Sequence, residues 1–310
     1  MVCAQGRGEP GACPVAERFR RACGGGLGNF QIHGLSMDIF GAVVFFLALT
    51  SGLYASSFAL LCFGRNAERL RRLARGAARL GFASHTFMLC WYAFAVSRLP
   101  VGNPYEILVS LVWAFVFVQL AGVAAFKTSA LLFFSMPAAA LLLALPAGCP
   151  LFFSNLGIAA ADLGRVSSAH AALAIFSYAA FALAAAVSAL YAAQARALRR
   201  KCADSAFPDA PSLKRLLSFC KWSLTVSSAL MFAAMVLGAI GARSFVSEGS
   251  APPLYMLKFA LGTLVFAVQI LLTSLLWAEK LRPSRLCAAV AFSALFSFLL
   301  LIPMELKNFL

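Results

Sequence analysis

Charge is what this sequence has least of. Only 12% of its 310 residues are charged, and Asp and Glu together number 11. That is about half the charged share of an ordinary soluble domain. Hydrophobic residues make up 62% of the chain, and the mean hydropathy is +0.87. A soluble domain of this length needs a large polar surface, and too few charges are present to make one. An ordinary cytosolic enzyme and a disordered chain are both excluded. The class that remains is an all-α polytopic membrane protein, whose apolar side chains face lipid.

Catalytic groups are scarce as well. There are three His, no H-E-x-x-H, no G-x-S-x-G and no pair of acids at catalytic spacing. This points to a binding, handling or regulatory protein and away from a self-sufficient enzyme. The nine Cys contain no C-x-x-C, which argues against a thioredoxin-type pair or a zinc knuckle. Their odd number and scatter argue against a disulfide framework. Most read as small apolar residues in or near helices. No inverted internal repeat is visible, which weighs against the further alternative of a small-molecule transporter.

The net charge of +15 raises the question of nucleic acid, but its distribution answers it. Lys and Arg cluster in short segments between apolar runs, as in cytoplasmic loops, and no basic face is interleaved with base-stacking aromatics. Eight apolar runs are expected to span the bilayer, at about 38–63, 81–98, 106–126, 129–148, 168–193, 222–242, 255–278 and 286–303. Six Arg stand in 64–80, and seven Lys or Arg in 194–221. Lys127, Lys280, Arg282 and Arg285 belong to the same alternate set of loops. The other side of the core has only Arg98, Arg165, Arg243, Lys258 and Lys307. The positive-inside rule makes 64–80, 194–221 and 279–285 cytoplasmic, and an even helix count then leaves both ends of the core outside. The expected location is a bacterial-type inner membrane.

Residues 1–36 are rich in Gly, Arg and Cys and hold no spanning run. Two domains are therefore expected. The first, 1–36, is a disordered extension or a misassigned start with Met37 as the natural first residue. The second, 37–310, is the membrane domain. The segment 149–167 is half apolar, as expected of a stretch lying along the membrane surface.

Two His lie in or at apolar runs. An ionisable group in a span is a functional candidate by default, with a neutral, hydrogen-bonded packing role as the alternative. His85 is expected about 6 Å inside the cytoplasmic end of its helix. His170 is expected near the outer end of another, about 20 Å away in depth. One iron is not bridged by both, so two sites are implied if both are ligands. Met88, one turn from His85, is a candidate second ligand or a packing residue. Glu106 follows Asn103 and Tyr105 at a helix entrance, where the helix dipole favours a carboxylate. Gln119 and Gln269 are expected to bond neighbouring helices.

The stretch GFASHTFMLCWYAFAVSRLPVGNPYEILVSLVW, residues 81–113, resembles the cytochrome c assembly family of membrane proteins, the CcsA, ResC and HemX-like group. The matching positions are Gly81, Phe82, His85, Thr86, Pro100, Asn103, Tyr105 and Glu106. A second stretch, SSAHAALAIFSYAAF at 167–181, resembles the family's His-to-Ser-Tyr-Ala helix through His170, Ser177, Tyr178 and Ala179. The resemblance implies haem as the cofactor, with His170 as an outer and His85 as an inner axial ligand. It also implies a role in delivering haem to apocytochrome c, and a ResB/CcsB-like membrane partner. The family's Trp-rich outer loop has no counterpart here. The corresponding RSFVSEGSAPPLYMLK, residues 243–258, holds neither Trp nor Asp, and no His follows His170. The chain therefore resembles a divergent or HemX-like member, for which control of glutamyl-tRNA reductase in haem biosynthesis is the alternative function. Mass spectrometry of the intact native protein separates the two readings of residues 1–36: a full-length mass removes the start at Met37.

Overall fold

The computed structural model describes residues 27–64, 67–148, 165–200, 211–247, 253–279 and 282–306. Among them are eight helices: α1 (Leu27–Phe63), α2 (Glu68–Val96), α3 (Pro104–Phe126), α4 (Ala130–Gly148), α5 (Arg165–Arg199), α6 (Leu213–Ser247), α7 (Pro253–Ala278) and α8 (Pro283–Leu306). The chain divides into Met1–Val43 and a compact unit, Val44–Leu310. Helix is what a bilayer demands, because no water is present to satisfy an unpaired backbone group.

Six of the eight, α1 and α3 to α7, carry stretches long and apolar enough to cross a membrane. The chain is thus an all-α, multi-spanning membrane protein. Eight spans were expected, and α2 and α8 fall outside the six for different reasons. The expected cytoplasmic loop 64–80 is instead mostly helix, continuous with the expected span from residue 81. Arg, Leu and Ala are good helix formers, and Glu68 pairs with Arg71, Arg72 and Arg75 at 2.8, 3.3 and 3.1 Å. Those guanidiniums, Arg71 foremost, hold the Glu68 carboxyl well below the usual carboxylate range, at about 2. In α8, an apolar helix over Pro283–Phe298 is shorter than a span among the described residues, while the helix itself continues to Leu306. The expected boundary at residue 36 falls inside α1, which is already helical from Leu27. The surface segment expected at 149–167 lies outside the described residues up to 164.

The helix ends are written in local chemistry. Asn103 caps α3 by accepting the Glu106 N–H at 2.8 Å, and Pro104 begins the first turn, where its missing N–H costs nothing. α2 stops with Ser97 in the left-handed conformation, at φ 54°. The Arg98 N–H then reaches back to the Ala93 carbonyl, as in a Schellman stop. α3 stops in the same way at Lys127, at φ 55°, and the Thr128 hydroxyl accepts the Ala130 N–H at 3.1 Å. This explains how so few residues turn α3 into α4.

α5 packs against α3, α4, α6 and α8. It can do so because its buried face is largely Ala and Ser, and small residues let helix backbones approach closely. Its contact with α6 is stitched by hydrogen bonds. The His170 imidazole donates to the Ala234 carbonyl at 2.7 Å. Ser177 donates to the Ser227 carbonyl, and Ser227 to the Ser177 carbonyl, each at 2.9 Å. Ser223 donates to the Ala180 carbonyl at 2.8 Å, and Ser188 meets Cys220 at 3.2 Å. Numbers rise on α5 as they fall on α6, which is an antiparallel register. Elsewhere, Arg215 stacks over Phe126 at 5.5 Å, and Lys221 binds Glu279 at 2.6 Å. These contacts gather the α3–α4 turn, the start of α6 and the end of α7 at one end, which carries basic residues.

Interhelical hydrogen bonds between neutral groups in membranes contribute about 0.6 kcal/mol on average and up to about 1.7. Replacing Ser177 and Ser227 together by Ala is expected to cost about 1–2 kcal/mol of stability. Ser227→Leu, which also forces a large side chain into the seam, is expected to add about 1–3 kcal/mol to its own lost bonds. Thermal unfolding of the purified protein, followed by helical circular dichroism, checks both.

Candidate functional site

The residues singled out in the sequence fall into three clusters. The first surrounds Glu106, whose side chain is almost wholly buried. Its Oε1 accepts from the Tyr92 hydroxyl at 2.8 Å, from Arg98 at 2.7 Å and from Asn103 Nδ2 at 3.0 Å. Its Oε2 accepts from Arg98 and from the Gly102 N–H, each at 2.7 Å. Tyr105 is buried beside it. Five donors saturate the carboxylate, so it is spoken for structurally. Its work is to tie the end of α2, the 97–103 connection and the start of α3 into one clasp. Tyr92 was not singled out in the sequence, and Arg98 was counted there only for its charge. The signal was present: an Arg among apolar residues, at the end poor in basic groups, needs a carboxylate partner.

The second cluster holds His85. The ring is 0% exposed. Its Nδ1 lies 3.5 Å from the Tyr54 hydroxyl, the Val109 backbone faces the ring, and Nε2 lacks a hydrogen bond of good geometry. Gly81 is required here, since a Cβ would fall 2.7 Å from the Tyr54 ring. Thr86 accepts the Trp113 indole N–H at 2.9 Å, and Phe82 stacks on both Trp113 and Phe117. Each residue of Gly81, Phe82, His85 and Thr86 therefore has a packing partner. Met88 is buried on the same stripe of α2. A haem can reach His85 only if α1, α2 or α3 moves.

The third cluster holds His170, half-buried between α5 and α6. A carbonyl accepts and does not donate, so the 2.7 Å contact with Ala234 fixes the proton on Nδ1. Nε2 is then the nitrogen with the free lone pair. Gly238 makes the room, because a Cβ there would fall 2.9 Å from the ring. An imidazole tied through one nitrogen to a backbone carbonyl is the arrangement that orients a metal-ligating His.

The two His remain on different helix pairs, but their depths differ less than expected. Thr86, beside His85, bonds Trp113, and Trp113 meets Phe176 at 6.1 Å between ring centroids. From Phe176 to His170 is six residues along α5, a rise of about 9 Å. The expected 20 Å rested on a helix beginning near residue 81, and α2 begins at Glu68. Trp113, Phe82, Phe117 and Phe176 form an aromatic cluster where α2, α3 and α5 meet. Only tertiary packing assembles it. Gln119 and Gln269, expected to bond neighbouring helices, are fully buried with both amide ends unpartnered. The helix backbones around them have already used their hydrogen-bonding groups on themselves. Among the described residues no group of three or more His, Cys, Asp or Glu is gathered to hold a metal ion.

Comparison with family models, with curated proteins and with solved structures finds no match to this chain. The functional reading therefore rests on its own residues. The clasp generates a direct test. Arg98→Ala strands a buried carboxylate and is expected to destabilise by about 3–5 kcal/mol. Arg98→Lys, which keeps charge but loses the two-pronged contact, is expected to recover only part of that. Denaturation in detergent, compared across the two variants, reads the difference.

Proposed function

We propose that this chain handles haem in cytochrome c assembly, holding it at the membrane face opposite the Arg-rich segments. The observation that carries the reading is the His170 imidazole, with its proton fixed on Nδ1 by the Ala234 carbonyl and its Nε2 lone pair left for iron. Haem supplies the iron that such an imidazole ligates. In this reading α2 and α8 also cross, the basic segments 64–80, 194–221 and 279–285 face the cytoplasm, and both ends of the core lie outside. A ResB/CcsB-like membrane partner and apocytochrome c are the matching partners. His85, enclosed by α1, α2 and α3, serves as a second, inner ligand only after those helices part, and its unsatisfied Nε2 is the atom such an opening exposes.

Two observations favour a second reading, a HemX-like regulator acting on glutamyl-tRNA reductase. The 243–258 segment has no Trp to stack on a haem face. The first half of α2 is a rigid basic helix rather than a loose loop, with Arg72 exposed. A soluble cytoplasmic protein can dock on such a helix.

An absorption spectrum of the full chain, purified from a haem-replete bacterial host, separates them. Haem handling is expected to give a Soret band that His170→Ala weakens by about tenfold or more. Gly238→Val is expected to act in the same direction, since it crowds the ring without removing the ligand. A spectrum without haem, for the chain alone and with its membrane partner, removes this reading. Capture of a soluble cytoplasmic protein through the Arg-rich half of α2 then carries the regulatory one.

A further inference from the structure

α5, α6 and α8 converge on a small sulfur cluster that the sequence does not announce. Cys220 on α6 and Cys287 on α8 are 0% and 1% exposed. They are free thiols, and their side chains interact directly. Ser188 on α5 lies 3.2 Å from the Cys220 sulfur and also bonds Cys287. The Cys220 thiol has a second contact, with the Ala184 carbonyl at 3.8 Å. No third Cys, His, Asp or Glu joins them among the described residues.

We propose that Cys220 and Cys287, backed by Ser188, form a buried two-thiolate site for a soft monovalent cation, Cu(I). Thiolates select soft ions, and zinc in a structural site asks for four ligands where this site offers two. A two-coordinate d¹⁰ ion needs no more than a sulfur on each side. Binding exchanges protons for metal: Cu(I) and two thiols give a bis-thiolate complex of net charge −1 and release two protons. The Ser188 hydroxyl can donate to a sulfur that becomes anionic. The site lies about 6 Å along α8 from Pro283 and about 10 Å along α6 from Leu213. That is near the bundle end where Lys214, Arg215 and Lys221 stand. The proposal does not depend on the haem reading.

The test uses the full chain, purified anaerobically and loaded with Cu(I) below one equivalent against a chromogenic Cu(I) chelator, so that only the tightest site fills. The expected result is that Cys220→Ser and Cys287→Ser each lose about one tight Cu(I) per chain. Replacing the exposed Cys62 and Cys90 by Ser is expected to change nothing. Equal tight binding in the wild type and in Cys287→Ser overturns the proposal. If either variant fails to fold, judged by helical circular dichroism and elution, X-ray absorption of the loaded full chain with every Cys except Cys220 and Cys287 replaced by Ser decides. Two sulfur neighbours support the site, and nitrogen or oxygen neighbours overturn it. A Cys220–Cys287 disulfide in the native chain, found by peptide mass after alkylation, also overturns it, because the pair is then a covalent staple.

Discussion

The close approach of α5 and α6 is the contact on which the rest of the structure depends. In lipid, apolar side chains gain little by meeting each other, so association has to come from packing and hydrogen bonds. Here both are concentrated in one seam, from His170 and Ala234 through Ser177 and Ser227 to Ser188 and Cys220. Ala and Ser along α5 bring the backbones near enough for serine hydroxyls to reach carbonyls across the gap. Two of the features that could bind a ligand grow out of this seam. His170 is oriented at one end of it, and the Cys220 thiol is held at the other.

Buried polar groups divide into those the fold satisfies and those it does not. Glu106 is fully satisfied, and its five donors make the α2–α3 connection a rigid corner. The amides of Gln119 and Gln269 and the Nε2 of His85 are left without partners. An unmade hydrogen bond at a buried polar group costs about 1–3 kcal/mol. The His85 ring sits where Gly81, Tyr54 and Val109 meet, between α1, α2 and α3. Each named residue of the motif Gly81-Phe82-x-x-His85-Thr86 has a partner on a neighbouring helix, so the motif also joins α2 to α1 and α3.

Much of the architecture was legible in the sequence because it follows from composition. Apolar runs of spanning length must become helices, and Asn103-Pro104-x-Glu106 is a helix start by local chemistry alone. Where the reading missed, local signals competed. The Arg-rich stretch after residue 64 looks like a loop when judged by charge, but Arg, Leu and Ala favour helix, and Glu68 supplies the pairing. That continuity moved His85 deeper along its helix than its distance from residue 81 implied.

The sequence by itself determined that this chain is an all-α membrane protein, with its basic residues in alternate segments and with two His among apolar helices. It could do so because hydropathy and charge act along the chain and need no knowledge of neighbours. Only the tertiary structure decided which residues face each other: Arg98 and Tyr92 around Glu106, Tyr54 beside His85, Ala234 and Gly238 around His170, Cys220 against Cys287. Apart from Arg98, which stands in the α2–α3 connection, those residues meet from different helices, and their spacing in sequence carries no period. The α5–α6 contacts form because small residues let those two helices approach closely, and all of these meetings belong to packing in three dimensions.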